Sequence, residues 1–481
     1  MRERIGAGLA LAGLLLAGCM PADRPRPALA AVTPPADWRD GGAGTATVDP
    51  RWWQGFGDPT LTWLVETALA RNTDVLAAAA RVAEAEANVR LARSALLPTL
   101  DVTVPVQRSR TLAGGAGGPI TATVLQPQAQ ASWQVDLFGR LSKLTDAARL
   151  QYRASRADRD AAALAVAAQV AQGYFGLLAL DAQLYVSRET VDSRREALRL
   201  AQDQARVGYI SQFELTQAQS EYEAVEQAIP QILLGIRAQE NAIRVLTGEL
   251  PGAVPRGRSL RDVALPAVPA TLPSDLLRRR PDLASAELAV AAADASLAAD
   301  RRAFLPQVSL SASAGALLVN LLDYDPVSIW SVGGSVLAPI FQGGRLRAQV
   351  DASAALRDQA AFAYRGTALA AFQEVETALN GVRRYEEQIA RVINRRNILL
   401  RSVALSTDRY QSGFAAYIEQ LDAQRNLYST ELEAITLRQD QLANLVTLYR
   451  ALGGGWSATQ EGDPSRPATR SEKAASSMGV R

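Results

Sequence analysis

The sequence predicts an α+β membrane protein: a trimeric twelve-stranded β-barrel, to which each chain contributes four strands, continuous with a long α-helical coiled coil. Three observations in the 481 residues predict this fold. The two halves of the chain repeat one another, as they do in duplicated architectures. Short segments of alternating polarity lack charge, and two long segments without proline keep the helical period.

The first element is a leader with the features of a secretory signal peptide. Arg2 and Arg4 give a basic start, residues 5–17 are apolar, and small residues precede Cys19, the only cysteine of the chain. The apolar stretch is shorter than a membrane-spanning helix requires. We therefore expect residues 1–18 to be removed.

The end of the leader, Leu16-Ala17-Gly18-Cys19, resembles the bacterial lipobox, in which cleavage precedes the cysteine and lipid is attached to it. A single cysteine cannot form an internal disulfide. The alternative to lipidation is therefore a free thiol in a leader that is cut away. Each buried methylene of an acyl chain contributes about 0.8 kcal/mol, so several chains hold a protein on a bilayer. Cys19 is the predicted lipidation site, and Met20 after it fits passage to the outer membrane.

The remaining chain is predicted to contain a tether, two repeats, a linker and a tail. Composition rich in proline, alanine and glycine is typical of extended connections, and a polar tail without periodicity is typical of disorder. The boundaries are 19–50 for the lipid-anchored tether, 51–248 for the first repeat, 249–273 for the linker, 274–456 for the second repeat and 457–481 for the tail.

The repeat rests on three matches that occur in the same order in both halves. Chance similarity between alanine-rich helices explains one match, but not the shared Leu-Pro ending, the glycine and the order of all three. The matched pairs are 74–98 with 282–306 at an offset of 208, 206–227 with the segment around Gly413 at an offset of 205, and Leu246-Thr247-Gly248 with Leu452-Gly453-Gly454.

Each half contains two segments whose polarity alternates with a period of two, which is typical of β-strands. A sheet on a soluble core alternates in the same way, but residues 111–135, 303–322 and 326–344 contain no Asp, Glu, Lys or Arg. An apolar face opposite a polar, mostly uncharged face is typical of a membrane barrel. The predicted strands are about 98–109, 124–137, 306–317 and 328–341.

Four strands cannot close a barrel, because single-chain bacterial barrels begin at about eight strands. Open sheet edges are not tolerated in lipid, since their backbone groups would stay unpaired. The strands of several copies must therefore combine, and three copies of four strands give twelve.

Long helices follow the strands in both halves. Segments 140–207 and 346–412 contain no proline, and 68 residues at 1.5 Å each give a helix of roughly 100 Å. Such length without caps indicates a coiled coil. Gly208 and Gly413 are predicted to turn each helix into a returning helix of about 38 residues. Asp58-Pro59 is predicted to open an earlier helix that runs into the alanine-rich stretch ending at Leu97-Pro98.

With these motifs the chain resembles the TolC/OprM-type outer-membrane factors, in particular the lipoprotein (NodT) branch of the RND efflux channels. The resemblance covers Cys19 to Trp456 and rests on the lipobox, the duplicated Leu-Pro-strand unit, and the segments RVGYISQFELTQAQ and RYQSGFAAYIEQLDAQRNLY. It implies a homotrimer in the outer membrane with a helical tunnel across the periplasm. It also implies export of small molecules with a periplasmic adaptor and an inner-membrane RND pump.

The resemblance further implies functional residues at the ends of the helical hairpins. Glu419 and Asp422 would ring a periplasmic gate, although by spacing alone they lie on one helix face and equally suit a solvated surface. Tyr410 and Glu214 could bond neighbouring hairpins, and Ala415 replaces a gate arginine of the family. The adaptor-docking tips, in which the glycines also suit simple C-caps, would be Val207, Gly208 and Ser211 in the first hairpin and Ser412, Gly413 and Ala416 in the second.

Composition argues against other classes of protein. The net charge of +2, the absence of histidine and the single cysteine disfavour nucleic-acid binding, zinc sites and histidine-based catalysis. We expect no enzyme activity, metal or cofactor. Two alternatives remain: the outer-membrane channel of a type I, ABC-driven protein secretion system, and a structural coiled-coil spacer, which would not need polar strand faces.

Overall fold

The computed structural model describes residues 25–39, 48–112, 118–269 and 273–457. The predicted leader, Cys19 and nearly all of the predicted tail lie outside these ranges. Short 3₁₀ helices occur at Ala28–Ala30, Trp52–Phe56 and Asn320–Leu322.

Both halves of the chain follow the order helix, helix, strands, long helix, returning helix. The first half contains α1 (Pro59–Arg71), α2 (Thr73–Ser94), β1 (Thr99–Thr103), β2 (Val106–Leu112), β3 (Pro119–Leu125), β4 (Gln128–Val135), α3 (Arg140–Arg206) and α4 (Gln212–Leu246). The second contains α5 (Pro273–Arg279), α6 (Pro281–Arg302), β5 (Gln307–Val319), β6 (Val327–Leu337), α7 (Arg345–Gln411) and α8 (Tyr417–Ala451).

The chain divides into two compact units. Among the described residues, the strand unit comprises Ala80–Arg156 and Ser285–Gly366 with residues 25–31, and the helical unit comprises Val32–Ala79, Ala157–Ala284 and residues 367–457. The mixed α+β composition predicted from the sequence is confirmed.

The sheet of the strand unit is antiparallel throughout, with six strands instead of the four predicted. The strand predicted over 98–109 is interrupted before Val106, and the one predicted over 124–137 is interrupted before Gln128. Pro105 and Pro127 lie in these interruptions because proline has no amide hydrogen to donate to a ladder. The register is unchanged across both interruptions, so β1 with β2, and β3 with β4, follow one strand path each.

The two faces of this sheet differ in polarity, as predicted. Adjacent strands place Leu100 beside Ala131, Ala131 beside Ala312, and Ala312 beside Val332 on one face. The opposite face carries Asp101, Gln130, Ser313 and Ser331 in the next row, where the two serine hydroxyls are 2.9 Å apart. One face is therefore apolar and the other forms a polar hydrogen-bonded surface.

Both outer edges of the sheet are open. The path formed by β1 and β2 pairs only with β3 and β4, and β6 pairs only with β5, within the described ranges. Such edges expose rows of unpaired backbone N–H and C=O groups.

A cluster of aromatic residues lies in the core of the helical unit. Trp52 stacks on Tyr449 at 5.8 Å between ring centroids, and Phe56 lies 5.0 Å from Phe175. Among the described helices, only α3 has a segment long and apolar enough to cross a membrane, and 56% of that segment is buried within the protein. Because Tyr174 and Phe175 of α3 are fully buried, we assign the segment to this core.

The two returning helices end in the same way. Gly248 follows α4 and Gly453 follows α8, both with positive φ, and a Cβ at either position would overlap the backbone carbonyl of Arg71 or Arg279. Since these arginines end α1 and α5, Gly248 corresponds to Gly453. The sequence match of Gly248 with Gly454 was therefore wrong by one residue.

The part of the predicted linker that the structure describes, residues 249–269, belongs to the helical unit. Val254, Leu260 and Val263 are buried, and the Arg256 guanidinium pairs with Asp181 and Glu240. Proline- and glycine-rich composition therefore did not make this segment a loose connection.

A buried carboxylate joins the linker to two helices. Asp58, the N-cap of α1, is 1% exposed. Its Oδ1 accepts from the amides of Thr60 and Leu61 at 2.8 and 3.2 Å, and its Oδ2 accepts from the Tyr174 hydroxyl and the Arg258 amide at 2.9 and 3.0 Å. Burial first, and then the charge of Asp58, raises the pKa of Tyr174, so this hydroxyl stays protonated and donates.

Candidate functional site

Both hairpin turns have the geometry of a helix C-cap with glycine in the left-handed region. In the first, the amide of Gly208 donates to the carbonyl of Ala205 at 3.1 Å, and that of Tyr209 donates to Gln204 at 2.9 Å. Gly413 and Phe414 repeat these bonds at the end of α7. This is the Schellman motif, which favours glycine because φ is positive. The C-cap role of both glycines is therefore present.

The tips expose large apolar side chains. Tyr209 is 84% exposed and Phe414, at the corresponding position of the second tip, is 80% exposed. Phe213 and Ile418 add further exposed apolar surface at the starts of α4 and α8. Exposed aromatic residues that cluster at a loop mark a surface suited to protein contact.

The two helices that leave the tips begin differently. Ser211 caps α4 in a capping box, in which its hydroxyl accepts from the Glu214 amide at 3.2 Å and its own amide donates to the Glu214 carboxylate at 3.0 Å. Ala416 stands at the same position before α8 and provides no side-chain cap. Glu419, the counterpart of Glu214, therefore has a carboxylate that helix capping does not occupy.

The structure places Glu419 and Asp422 on the exposed side of α8. The Glu419 carboxylate lies 3.7 Å from the Arg409 guanidinium of α7, with both side chains more than half exposed. Such an exposed pair contributes little to stability. Asp422 accepts from the Asn426 amide group at 3.1 Å. Both carboxylates are thus accessible to ions.

Tyr410 does not bond Glu214 within the chain. Its hydroxyl donates to Gln204 Oε1 of α3 at 3.1 Å, while the Glu214 carboxylate is held by Ser211. Burial, followed by the nearby charge of Glu214, raises the pKa of Tyr410. The hydroxyl is therefore a donor at neutral pH, and its acceptor within the chain is Gln204. The bond between neighbouring hairpins stays a prediction.

A buried polar cluster next to these residues was not predicted from the sequence. Glu221 of α4 accepts from the Arg425 guanidinium of α8, and Arg194 of α3 donates to Gln424. Arg194 is 3% exposed and Glu221 is 8% exposed. Burial lowers the pKa of Arg194 and the charge of Glu221 opposes that shift.

A sequence signal for this cluster did exist. Glu221 lies between Ala218 and Val225, which are both buried at helical spacing on the same face of α4. A carboxylate within an apolar stripe indicates a buried partner of opposite charge.

The described residues contain no group of three or more His, Cys, Asp or Glu side chains placed to hold a metal ion. The arrangement instead offers exposed carboxylates beside a hairpin turn, and exposed aromatic side chains at its tip.

Comparison with known proteins identifies the family. The family model described as outer membrane efflux protein matches residues 64–249 and 272–454. The pyoverdine export outer membrane protein OpmQ of Pseudomonas aeruginosa is 33% identical over 461 residues, which cover 93% of this chain and 96% of OpmQ. The probable efflux pump outer membrane protein TtgC of Pseudomonas putida is 32% identical and covers 93% and 95%.

The fold is also that of a solved channel. The CmeC outer membrane channel of Campylobacter jejuni superposes with a TM-score of 0.84 at 22% identity, over 95% of this chain and 97% of that chain. The family match extends over most of the sequence and both of its halves. This chain belongs to the outer membrane efflux protein family.

Proposed function

We propose that three copies of this chain form the exit duct of a tripartite efflux system, which conducts small molecules across the outer membrane. A periplasmic adaptor and an inner-membrane RND pump would deliver the substrate, and the lipidated Cys19 would anchor each copy. The proposal rests on the sheet, in which the six strands follow four strand paths. This sheet has one apolar face and two open edges. In lipid those edges need partners, and three copies supply the twelve strands of a closed barrel.

Small-molecule efflux is favoured over type I protein secretion by the relatives. OpmQ is named for pyoverdine export and TtgC for an efflux pump. A channel for polypeptides remains the alternative function. The two repeats, with a linker between them, would give each copy one helical hairpin for every barrel hairpin.

The functional test is single-channel recording in planar bilayers combined with mass measurement in detergent. We expect the full-length protein to form long-lived channels and to have the mass of a trimer. A stable monomer with full β content would contradict the barrel, because one chain leaves two edges unpaired.

Glu419 and Asp422 are proposed to line the periplasmic gate. Their carboxylates are exposed on one face of α8, and threefold symmetry would bring six of them around one axis. We expect the double substitution Glu419→Ala with Asp422→Ala to lower cation preference and to weaken block by divalent or trivalent cations. Tyr410→Phe, which removes the bond to Gln204, should raise conductance modestly.

The matched control for the gate is Asp192→Ala with Glu196→Ala. It removes two carboxylates that are each 69% exposed on one face of α3, where they pair with neighbouring arginines. This control should leave ion selectivity unchanged. If the Glu419 and Asp422 variant also keeps its ion selectivity, these residues belong to an ordinary solvated helix face and do not line the gate.

The tips are proposed to dock the adaptor through their exposed aromatic side chains. We expect Tyr209→Ser with Phe414→Ser to abolish most dye efflux in cells that contain the cognate adaptor and pump, while trimer mass and conductance stay unchanged. These positions test docking better than Gly208 or Gly413, where a larger residue also strains the left-handed turn. Tyr185→Ser on α3, which is also exposed, is the control; normal efflux in the double variant would contradict docking.

A further inference from the structure

The apolar face of the sheet has a definite height. Across the strands it begins at Val135 beside Val308 and ends at Leu125 beside Leu318. Val308 and Leu318 are ten residues apart on β5, which is about 33 Å along the strand. At the usual barrel tilt this is about 25 Å of height, the thickness of the apolar band of an outer-membrane barrel.

The same face becomes cationic directly beyond that band. Val106, beside Leu125, ends the apolar band on β2, and the next residues on this face are Arg108 and Arg110, followed by Leu112 at the end of the strand. The cross-strand neighbours of the two arginines on β3 are Thr123 and Thr121. Each of the next two rows along the strand therefore places one guanidinium group and one hydroxyl on this face, about 5 Å and about 10 Å above the apolar band, at the level of lipid headgroups.

Both arginines are exposed, and neither forms an ion pair with a carboxylate of the described ranges. The opposite face of the same hairpin carries Gln107 and Ser109 on β2, and it bears no charge in this region. The positive charge is thus directed to the face that continues the apolar band, and away from the face that would line the channel.

We propose that Arg108 and Arg110 form a binding site for the phosphate groups of lipids in the outer leaflet. This proposal rests on the barrel of the proposed function, which turns the apolar face toward lipid. Guanidinium groups bind phosphate bidentately, and adjacent threonine hydroxyls supply further donors. Three copies would place six arginines around the circumference of the barrel, where each phosphorylated lipid is held by its acyl chains below and its phosphates above.

The test compares lipid binding by the full-length protein and by the variant Arg108→Gln with Arg110→Gln. Each is purified in detergent and titrated with diphosphorylated lipid A, with the same lipid lacking phosphates, and with inorganic phosphate; bound lipid is counted by native mass spectrometry. We expect the variant to bind the diphosphorylated lipid at least tenfold more weakly, and both proteins to bind the dephosphorylated lipid equally. Arg391→Gln with Arg401→Gln, exposed on α7, removes the same charge and should bind like the unmodified protein.

Three results would overturn the proposal. The first is equal binding of both lipids by the unmodified protein, and the second is inorganic phosphate that binds as tightly as the lipid. The third is a variant trimer that dissociates in lipid-free detergent, because Arg108 and Arg110 would then pair with carboxylates of a second copy, such as Asp323 and Asp325 of the β5–β6 turn.

Conductance separates this proposal from the proposed function. If the unmodified protein forms channels and the variant forms the same channels but binds both lipids alike, the lipid site is confirmed and the barrel is intact. If the unmodified protein forms no channel or trimer, the proposed function fails on its own. If channels form and the variant still prefers the phosphorylated lipid, only the lipid site fails.

Discussion

Replacing Asp58 with asparagine is expected to lower the free energy of unfolding by about 3 kcal/mol, because buried donors that lose their acceptors are costly. The carboxylate accepts four hydrogen bonds in a site that is 1% exposed. An amide has one oxygen, so its NH₂ group must face either the amides of α1 or the Arg258 amide and the Tyr174 hydroxyl. At least one buried donor then loses its acceptor.

This substitution distinguishes a buried junction from a simple helix cap. Asparagine is as good an N-cap as aspartate, so capping alone predicts almost no change. Asp74→Asn is the control, because Asp74 lies exposed in the first turn of the next helix, α2. The measurement is loss of helical circular dichroism on heating in detergent. Equal midpoints for both variants would show that the contacts to α3 and the linker do not stabilise the fold.

Replacing Glu221 with glutamine is expected to lower the free energy of unfolding by about 2–3 kcal/mol, somewhat less than for a fully buried ion pair because Arg425 is half exposed. Most of this loss of stability is expected to come from Arg194, which is 3% exposed and whose Nε has no hydrogen-bond partner in the described structure. Glu221 is the charge that opposes the effect of burial on Arg194. Without it, two guanidinium groups lie close together without a buried anion.

Glu223→Gln is the matched control for Glu221→Gln. It makes the same chemical change on the same helix at an exposed position, so its effect should be within about 0.5 kcal/mol of zero. Thermal unfolding in detergent, monitored by circular dichroism, gives the unfolding midpoint of each variant. Similar midpoints for the two variants would contradict a stabilising role of the buried cluster. Adding Arg194→Met to Glu221→Gln should recover part of the loss, because it removes the buried charge that was left alone.

The candidate gate was located from the sequence by family resemblance and helical spacing, and its environment came from the structure. Spacing alone placed Glu419 and Asp422 on one face of a helix. It could not show that Ala416 leaves Glu419 without the capping bond that holds Glu214. Nor could it show that Tyr410 bonds Gln204, which lies 206 residues away in the chain.

The sequence by itself determined the features that depend on local backbone geometry. Period-two alternation predicted the strand paths, and the absence of proline predicted both 67-residue helices. Gly208 and Gly413 marked the turns because only glycine adopts a positive φ without strain. The interruptions at Pro105 and Pro127 were missed because the alternation of side chains continues through them.

Tertiary structure alone decided which polar groups are buried together. The sequence predicted that Asp58 opens a helix, and α1 does begin there. It could not predict that the same carboxylate bonds Tyr174 and Arg258, which are 116 and 200 residues away. Local propensity depends on a few neighbouring residues, whereas a buried charge is tolerated only where distant segments bring donors to it. Those partners are chosen by how the whole chain packs.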